Sequence, residues 1–406
     1  MLPAYGAPRW LQANGPSAIG TYTTDERLKL HGTGSINLYF RLPPDLFLRA
    51  RQSVPLLLKY GYSGTPQGTR PAVHVRLNGQ DIDSIQLKPS LPRVDESETV
   101  RLPTGSLLPF TNTLTVDFYF EGSTPPDTHP SFAIRRDSTI DLSGLPHAVV
   151  LPRLELFADA GYPFTQWPDL GRTAVILPSA PTPTDYEALL DMAGFFGAQT
   201  GALATQVTVS DADRRAEVQE KDIVLIGTAD AQPLFSEWAS AMPLSLSGPD
   251  IRVNEVAPSA LLLHPEWPFR SYDGRRLRRL LSGNTNADLF VQSFVSPLRP
   301  DRIVVAIVPS GADAVSAVRA LFTPSEREGP VYGGVAVHQG ARFDSFLVGT
   351  QAYHSGKLDR YQYTVVLLIE NYRIIPLLVV LFAVMIVAWV GSSTERVAAR
   401  RLATES

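Results

Sequence analysis

Apolar and polar residues alternate with period two over the first 151 residues, and the rhythm then gives way to unbroken apolar runs separated by helical segments. The clearest alternation is TLTVDFYFEG, which turns Leu114, Val116, Phe118 and Phe120 to one side and Thr115, Asp117, Tyr119 and Glu121 to the other. KLHGTGSINLYFRLP places Ile36, Leu38 and Phe40 on an inward face in the same way. In AVHVRLNGQDI, Asn78 and Gly79 stand between Val73, Val75, Leu77 and Ile82. That pair predicts a hairpin, because both turn residues need positive φ. Short strands broken by Pro- and Gly-containing loops predict a two-sheet jelly-roll β-sandwich over residues 1–151.

A linker is expected over 152–170, and beyond it RTAVILP, DIVLIGTA and RIVVAIVP read as buried strands. Thr184 to Glu187 forms an expected capping box for the helix DYEALLDMAGFF, which Gly201 would terminate. Further helices are expected at Leu234 to Ala241 and Ala312 to Phe322, and VYGGVAVHQ and RFDSFLVGT supply closing strands. Apolar strands alternating with helices predict a mainly parallel sheet covered on both faces, an α/β domain of flavodoxin-like size over 171–350.

The segment 354–372 carries Leu358, Tyr361, Val365, Leu368 and Tyr372 at three- and four-residue spacing, the stripe of an amphipathic interface helix or of a continuing membrane helix. IIPLLVVLFAVMIVAWV, from Ile374 and Pro376 to Trp389 and Val390, contains no charge. With its flanks it predicts one transmembrane helix over 373–393, since ~20 residues cross a hydrocarbon core of ~30 Å. Residues 394–406 would then form a tail. Lys357, Arg360 and Arg373 before the span balance Arg396, Arg400 and Arg401 after it, so charge does not orient it. MLPAYGAPRWLQANG has no export-signal pattern, which predicts either a cytosolic body or a fragment of a longer chain.

Composition narrows the chemistry. The formal net charge of -4 over 406 residues argues against a nucleic-acid partner. The absence of cysteine removes disulfides, thiolate metal sites and a Cys nucleophile. The seven histidines, His31, His74, His129, His147, His264, His338 and His354, show no metal-ligand spacing. No G-x-S-x-G elbow, P-loop or G-x-G-x-x-G is present, and the prolines of PSAPTPTD remove donors that a phosphate cradle needs. Asp117 and Glu121 stand ~13 Å apart on one strand face, too far for a glycosidase pair, while Asp81 and Asp83 adjoin a hairpin turn. No catalytic residue, metal or cofactor is therefore assigned. Arg275, Arg276, Arg278 and Arg279 form a basic cluster, open to a carboxylate or a lipid phosphate. Trp10, Tyr60, Tyr62 and Tyr119 are the candidates for stacking on sugar rings.

The blocks DSTIDLSGLPHAVVLPRLELFADAGYPFTQWPDLGRTAVILP, FRLPPDLF, VRLNG and LLPFTNTLTVDFYF make the chain resemble the periplasmic B subunit of bacterial cellulose synthase. The resemblance runs over essentially the whole chain and matches the C-terminal half of that family, whose members carry two tandem pairs of carbohydrate-binding and flavodoxin-like domains. It implies a non-catalytic subunit of the inner membrane, with its body in the periplasm and its C-terminus in the cytoplasm. The catalytic subunit, nascent cellulose and membrane lipid are the implied partners, with self-association a further expectation. Interface helix and span would be the elements the synthase requires, and the body would guide the emerging glucan. Members are often described as binding cyclic-di-GMP, although the resemblance places that receptor on the cytosolic side of the catalytic subunit. Two other classes remain open at this stage: a membrane-tethered carbohydrate-active enzyme and a nucleotide sensor.

Overall fold

The computed structural model describes residues 2–49, 52–64, 70–88, 92–121, 130–246, 251–254, 273–282, 286–349, 351–358, 379–387 and 389–390, with no side-chain detail for 120 and 121. The chain divides into two compact units, Met1–Lys357 and Leu358–Ser406.

Ten strands build the first part: β1 (Pro16–Ala18), β2 (Lys29–His31), β3 (Gly34–Arg41), β4 (Ser53–Ser63), β5 (Arg70–Leu77), β6 (Gln80–Gln86), β7 (Arg93–Pro103), β8 (Thr111–Glu121), β9 (Ser131–Ile134) and β10 (Thr139–Asp141). They form an antiparallel sheet ordered β1-β10-β4-β9-β2, with β7 also paired to β4, and a second ordered β3-β8-β5-β6. One core lies between them. Ile36, Leu38 and Phe40 of β3 meet Leu114, Val116 and Phe118 of β8 and the β4 row Leu56, Leu58, Tyr60 and Tyr62. Asn78 and Gly79 take φ of 51° and 82°, so the expected hairpin joins β5 to β6.

The sandwich ends earlier than the pattern suggested. β11 (Ala148–Leu151) pairs instead with β21 (Tyr353–Gly356), at the far end of the α/β part. The segment 152–170, expected as a linker, carries a helix packed into the α/β part. Helix α1 (Leu154–Ala160) lies there, and its buried Phe157 meets Phe164, Phe196 and Phe322 at ring separations of 5.6, 5.9 and 5.8 Å. Apolar and aromatic content at this density is stable only when withdrawn from water.

The α/β sheet contains β12 (Thr173–Leu177), β13 (Thr208–Asp211), β14 (Asp222–Ile226), β17 (Leu289–Val295), β18 (Ile303–Pro309), β19 (Val335–Gln339) and β20 (Arg342–Phe346), in the order β13-β12-β14-β18-β17-β19-β20. A short hairpin, β15 (Leu244–Ser245) with β16 (Arg252–Val253), lies outside it. Four strands are parallel, and β17, β19 and β20 run antiparallel. The sheet is thus more mixed than its apolar strands suggested, because β17, whose apolar run is broken by Gln292 and Ser293, enters it antiparallel to β18 and β19. Helices α1, α2 (Pro183–Thr200) and α5 (Ala314–Phe322) cover one face. The other face packs on α3 (Leu234–Glu237) and α4 (Gly274–Ser282).

Thr182, not Thr184, caps α2: its hydroxyl accepts from Asp185 N–H and the Asp185 carboxylate accepts from Thr182 N–H. Pro183 occupies the first helical position, where no N–H is needed, and Gly201 closes the helix at φ 77°.

His354 to Gly356 lie in β21, so the expected interface helix cannot begin at 354. Its candidate Leu358 is half-buried, whereas Tyr361, Val365, Leu368 and Tyr372 fall outside the described residues. In the second unit, residues 379–387 and 389–390 are helical, including exposed Trp389 and Val390. Among the described residues no helix is long and apolar enough to cross a membrane, and Ile374 and Pro376 lie outside them.

Candidate functional site

Three of the four stacking candidates have no face to offer. Trp10 is 3%, Tyr60 5% and Tyr62 4% exposed. Tyr60 and Tyr62 occupy the inward positions of β4, and the Tyr62 hydroxyl is 3.1 Å from Lys88 O. Trp10 is packed at the seam between sandwich and α/β domain, where its indole N–H donates to Gln199 O at 3.2 Å. A pyranose needs an accessible ring, so these three are structural.

Tyr119 is half-buried on the outer face of the second sheet, where its hydroxyl bonds His74 Nε2. Its neighbours are also committed: Arg76 Nε donates to Asp117 Oδ2 at 2.7 Å, and Ser35 donates to the same carboxylate. Partial burial pushes the Asp117 carboxyl up, but the Arg76 and Ser35 hydrogen bonds win and hold it below the ordinary carboxylate range. Asp117 is ill suited to act as a proton donor.

The exposed aromatic on this face is Tyr39, at 61%. It lines a cleft of about 460 Å³ with Pro8, Arg9, Thr21, Tyr22, Phe40, Arg41 and Thr111. The end of α2 supports this cleft from behind. Arg9 Nη1 donates to Ala198 O at 2.6 Å, and Arg41 Nη1 donates to Ala198 O at 3.2 Å and to Gln199 O at 3.1 Å. The last carbonyls of a helix lack intrahelical donors and carry its negative end, so two guanidiniums there are matched both in hydrogen bonding and in charge. Tyr39 was legible in GSINLYFR: once Leu38 and Phe40 point inward, it must point out.

A second cleft, of about 410 Å³, lies at the carboxyl ends of β14 and β18 and is lined by Thr228, Ala229, Asp230, Leu246, Ile251, Phe290, Val308, Pro309 and Ser310. Nucleotides often bind at such sheet ends. Here Ser310 N–H and Gly311 N–H both donate to Asp288 O, at 2.9 and 3.2 Å, leaving those amides unavailable to a phosphate.

A buried polar group joins the two halves of the first unit. Asp45, between β3 and β4, accepts from His147 Nδ1 at 2.8 Å, from Tyr162 OH at 3.1 Å and from Tyr5 OH. Burial, reinforced by the Asp45 charge, raises both tyrosine hydroxyls far above their ordinary range, which keeps them as donors. Among the described residues no group of acidic or histidine side chains could hold a metal ion. Helix α4 carries the Arg275–Arg279 cluster, whose Arg276 lies 3.5 Å from Asp344 and 4.9 Å over the Phe346 ring.

Curated relatives bear the name cyclic di-GMP-binding protein: that of Pseudomonas fluorescens is 29% identical over 98% of this chain and 56% of its own. Those of Xanthomonas axonopodis pv. citri and Escherichia coli K12 are 30% and 27% identical, over 87% and 98% of this chain and 48% and 53% of theirs. The chain thus spans about half the length of the curated relatives it matches. Among solved structures, infectious bursal disease virus Gt strain overlays 28% of the chain with a TM-score of 0.19 and 14% identity, too slight a likeness to carry any argument. Residues 16–139 match the family model for the second CBM domain of cellulose synthase BcsB, and residues 147–307 the one for its second FD domain. With the two matches falling in sequence on the sandwich and on most of the α/β domain, the chain belongs to the cellulose synthase BcsB family.

Proposed function

We propose that the chain is a non-catalytic subunit of the bacterial cellulose synthase complex, anchored in the inner membrane with its body in the periplasm. The observation that carries this reading is the pair of consecutive family matches over 16–139 and 147–307. In this reading the sandwich, β1 to β10, forms a jelly-roll carbohydrate-binding-like domain and the α/β part, from β11 to β21, a flavodoxin-like one. The C-terminal residues supply an interface helix and one span, 373–393, that support the catalytic subunit and contact lipid, and 394–406 lie in the cytoplasm. The body guides the nascent glucan by weak, repeated contacts, since a tight site would stall a moving polymer. The two clefts described above bring together no pair of free carboxylates for glycoside hydrolysis among their lining residues.

Glucan synthesis from UDP-glucose by the catalytic subunit in lipid bilayers tests this, with the intact chain compared with one ending at Lys357. That end point preserves β21 and its pairing to β11, which a cut after Thr350 would remove. Synthesis should be lost on truncation. Undiminished synthesis would refute the supporting role, and glucan cleavage by the purified chain would establish an enzyme instead.

A further inference from the structure

We infer that the sandwich cleft braced by the end of α2 is a β-glucan subsite, in which Tyr39 forms the platform for one sugar ring and Thr21 and Thr111 bond its hydroxyls. The inference deepens the guidance reading above and assigns it to residues. Tyr39 stands on the outer face of β3, and its exposed phenol ring forms one wall of the cleft. A pyranose presents an apolar face of C–H groups edged by hydroxyls, so it asks for a flat aromatic with polar groups around the rim. Those polar groups are present: Thr21 and Thr111 are exposed and line the same cleft.

Charge favours a neutral occupant. Arg9 and Arg41 are the charged residues of the lining, and both turn Nη1 to the carbonyls that end α2. The negative end of the helix offsets their charge, which an anion would otherwise claim. The cleft adjoins a sheet face carrying exposed Asn37 and half-buried Thr113, and buried Thr115 donates through Oγ1 to Asn37 Oδ1 at 2.8 Å. An extended polymer can therefore lie across the site instead of ending in it.

The test is titration of the full chain with cellohexaose, a soluble β-1,4-linked oligosaccharide, followed by calorimetry and by retardation in gels containing soluble cellulose derivative. Tyr39→Ala should weaken binding by about tenfold and Tyr39→Phe should retain it, because the ring and not the hydroxyl forms the platform. Thr21→Val with Thr111→Val should weaken binding several-fold, and Leu190→Ala, on α2 outside the cleft, should leave it unchanged. Affinity should hold between about 50 and about 500 mM salt. Unaltered binding by a folded Tyr39→Ala chain, failure of the wild-type chain to bind, or competition by inorganic sulfate would each overturn the subsite. None of these outcomes bears on whether truncation at Lys357 abolishes synthesis, so the subsite and the supporting role fail separately.

Discussion

His147 Nδ1 lies 2.8 Å from Asp45 Oδ1, and this contact ties the strand that leaves the sandwich to the loop after β3. Tyr162 and Tyr5 complete the set of donors around the same carboxylate. A buried charge is tolerated only when its lone pairs are filled, and three donors drawn from distant parts of the chain achieve that. Asp45→Ala would remove the acceptor that all three share and should cost about 3–5 kcal/mol of unfolding free energy. Tyr5→Phe, which removes one donor and leaves the others, should cost about 1 kcal/mol. Urea unfolding monitored by Trp fluorescence checks both, and equal midpoints for Asp45→Ala and wild type would show that the group does not join the domains.

Gly161 permits α1 to stop and the chain to turn into Tyr162. Its φ is 70°, and a Cβ there would meet the Phe196 ring and lie 2.7 Å from Thr165 Cγ2. Gly161→Ala therefore combines a left-handed backbone with a clash in an aromatic core, and should destabilise by about 2–4 kcal/mol. Gly144→Ala, where nothing lies within 4 Å and φ is not left-handed, is the matched comparison and should differ from wild type by less than about 0.5 kcal/mol. Thermal unfolding of the two variants side by side would reveal any failure of that contrast.

The sandwich strands were readable because one face is dry and the other wet, which writes a period of two into TLTVDFYFEG and GSINLYFR. The same rule, applied to LLLKYGY, would have assigned Tyr60 and Tyr62 to the core, where they lie. β17 escaped notice because Gln292 and Ser293 interrupt its apolar run. Both are buried, and Gln292 exchanges hydrogen bonds with the Leu244 backbone at 2.9 and 3.2 Å, standing in for a neighbouring strand. The α2 cap was misplaced because Thr182 and Thr184 both offer a hydroxyl, and only the position of Pro183 distinguishes them. The Asp45 group was invisible for a different reason. Its members run from Tyr5 to Tyr162, with Asp45 and Tyr162 alone 117 residues apart, and no local pattern encodes such a meeting.

Arg41 anchors the α2 C-terminus from the sandwich side, through Nη1 to Gln199 O at 3.1 Å and to the Gln199 side chain. Arg41→Met keeps the aliphatic stem but deletes the charge and the donors. The expected loss is about 1–2 kcal/mol, with Arg41→Lys recovering part of it because a point charge still meets the helix dipole but cannot reach several carbonyls at once. Chemical denaturation resolves differences of this size, and a Lys variant as weak as the Met variant would assign the whole effect to the fork geometry.

Asp222 should make the α/β domain lose stability as pH rises. Its carboxylate is buried at the start of β14, accepts from Ile303 N–H at 3.0 Å, and has Arg302 Nη1 at 3.7 Å. Burial outweighs those contacts and raises its pKa from 3.8 to about 6. The folded chain therefore binds the proton more tightly than the unfolded chain, and stability falls between about pH 4 and pH 6 and levels off above. The full difference between 3.8 and about 6 corresponds to ~3 kcal/mol, an upper bound for a site that can relax. Asp222→Asn keeps an oxygen for Ile303 N–H and has no proton to lose. Relative to wild type, the variant should gain about 1–3 kcal/mol on passing from pH 4 to pH 7.5, with no further gain at higher pH. Urea midpoints of both chains at three pH values measure the difference directly. If the two profiles run parallel through this window, Asp222 is ionised at the same pH in the folded and unfolded chains, and the fall in stability must come from other groups.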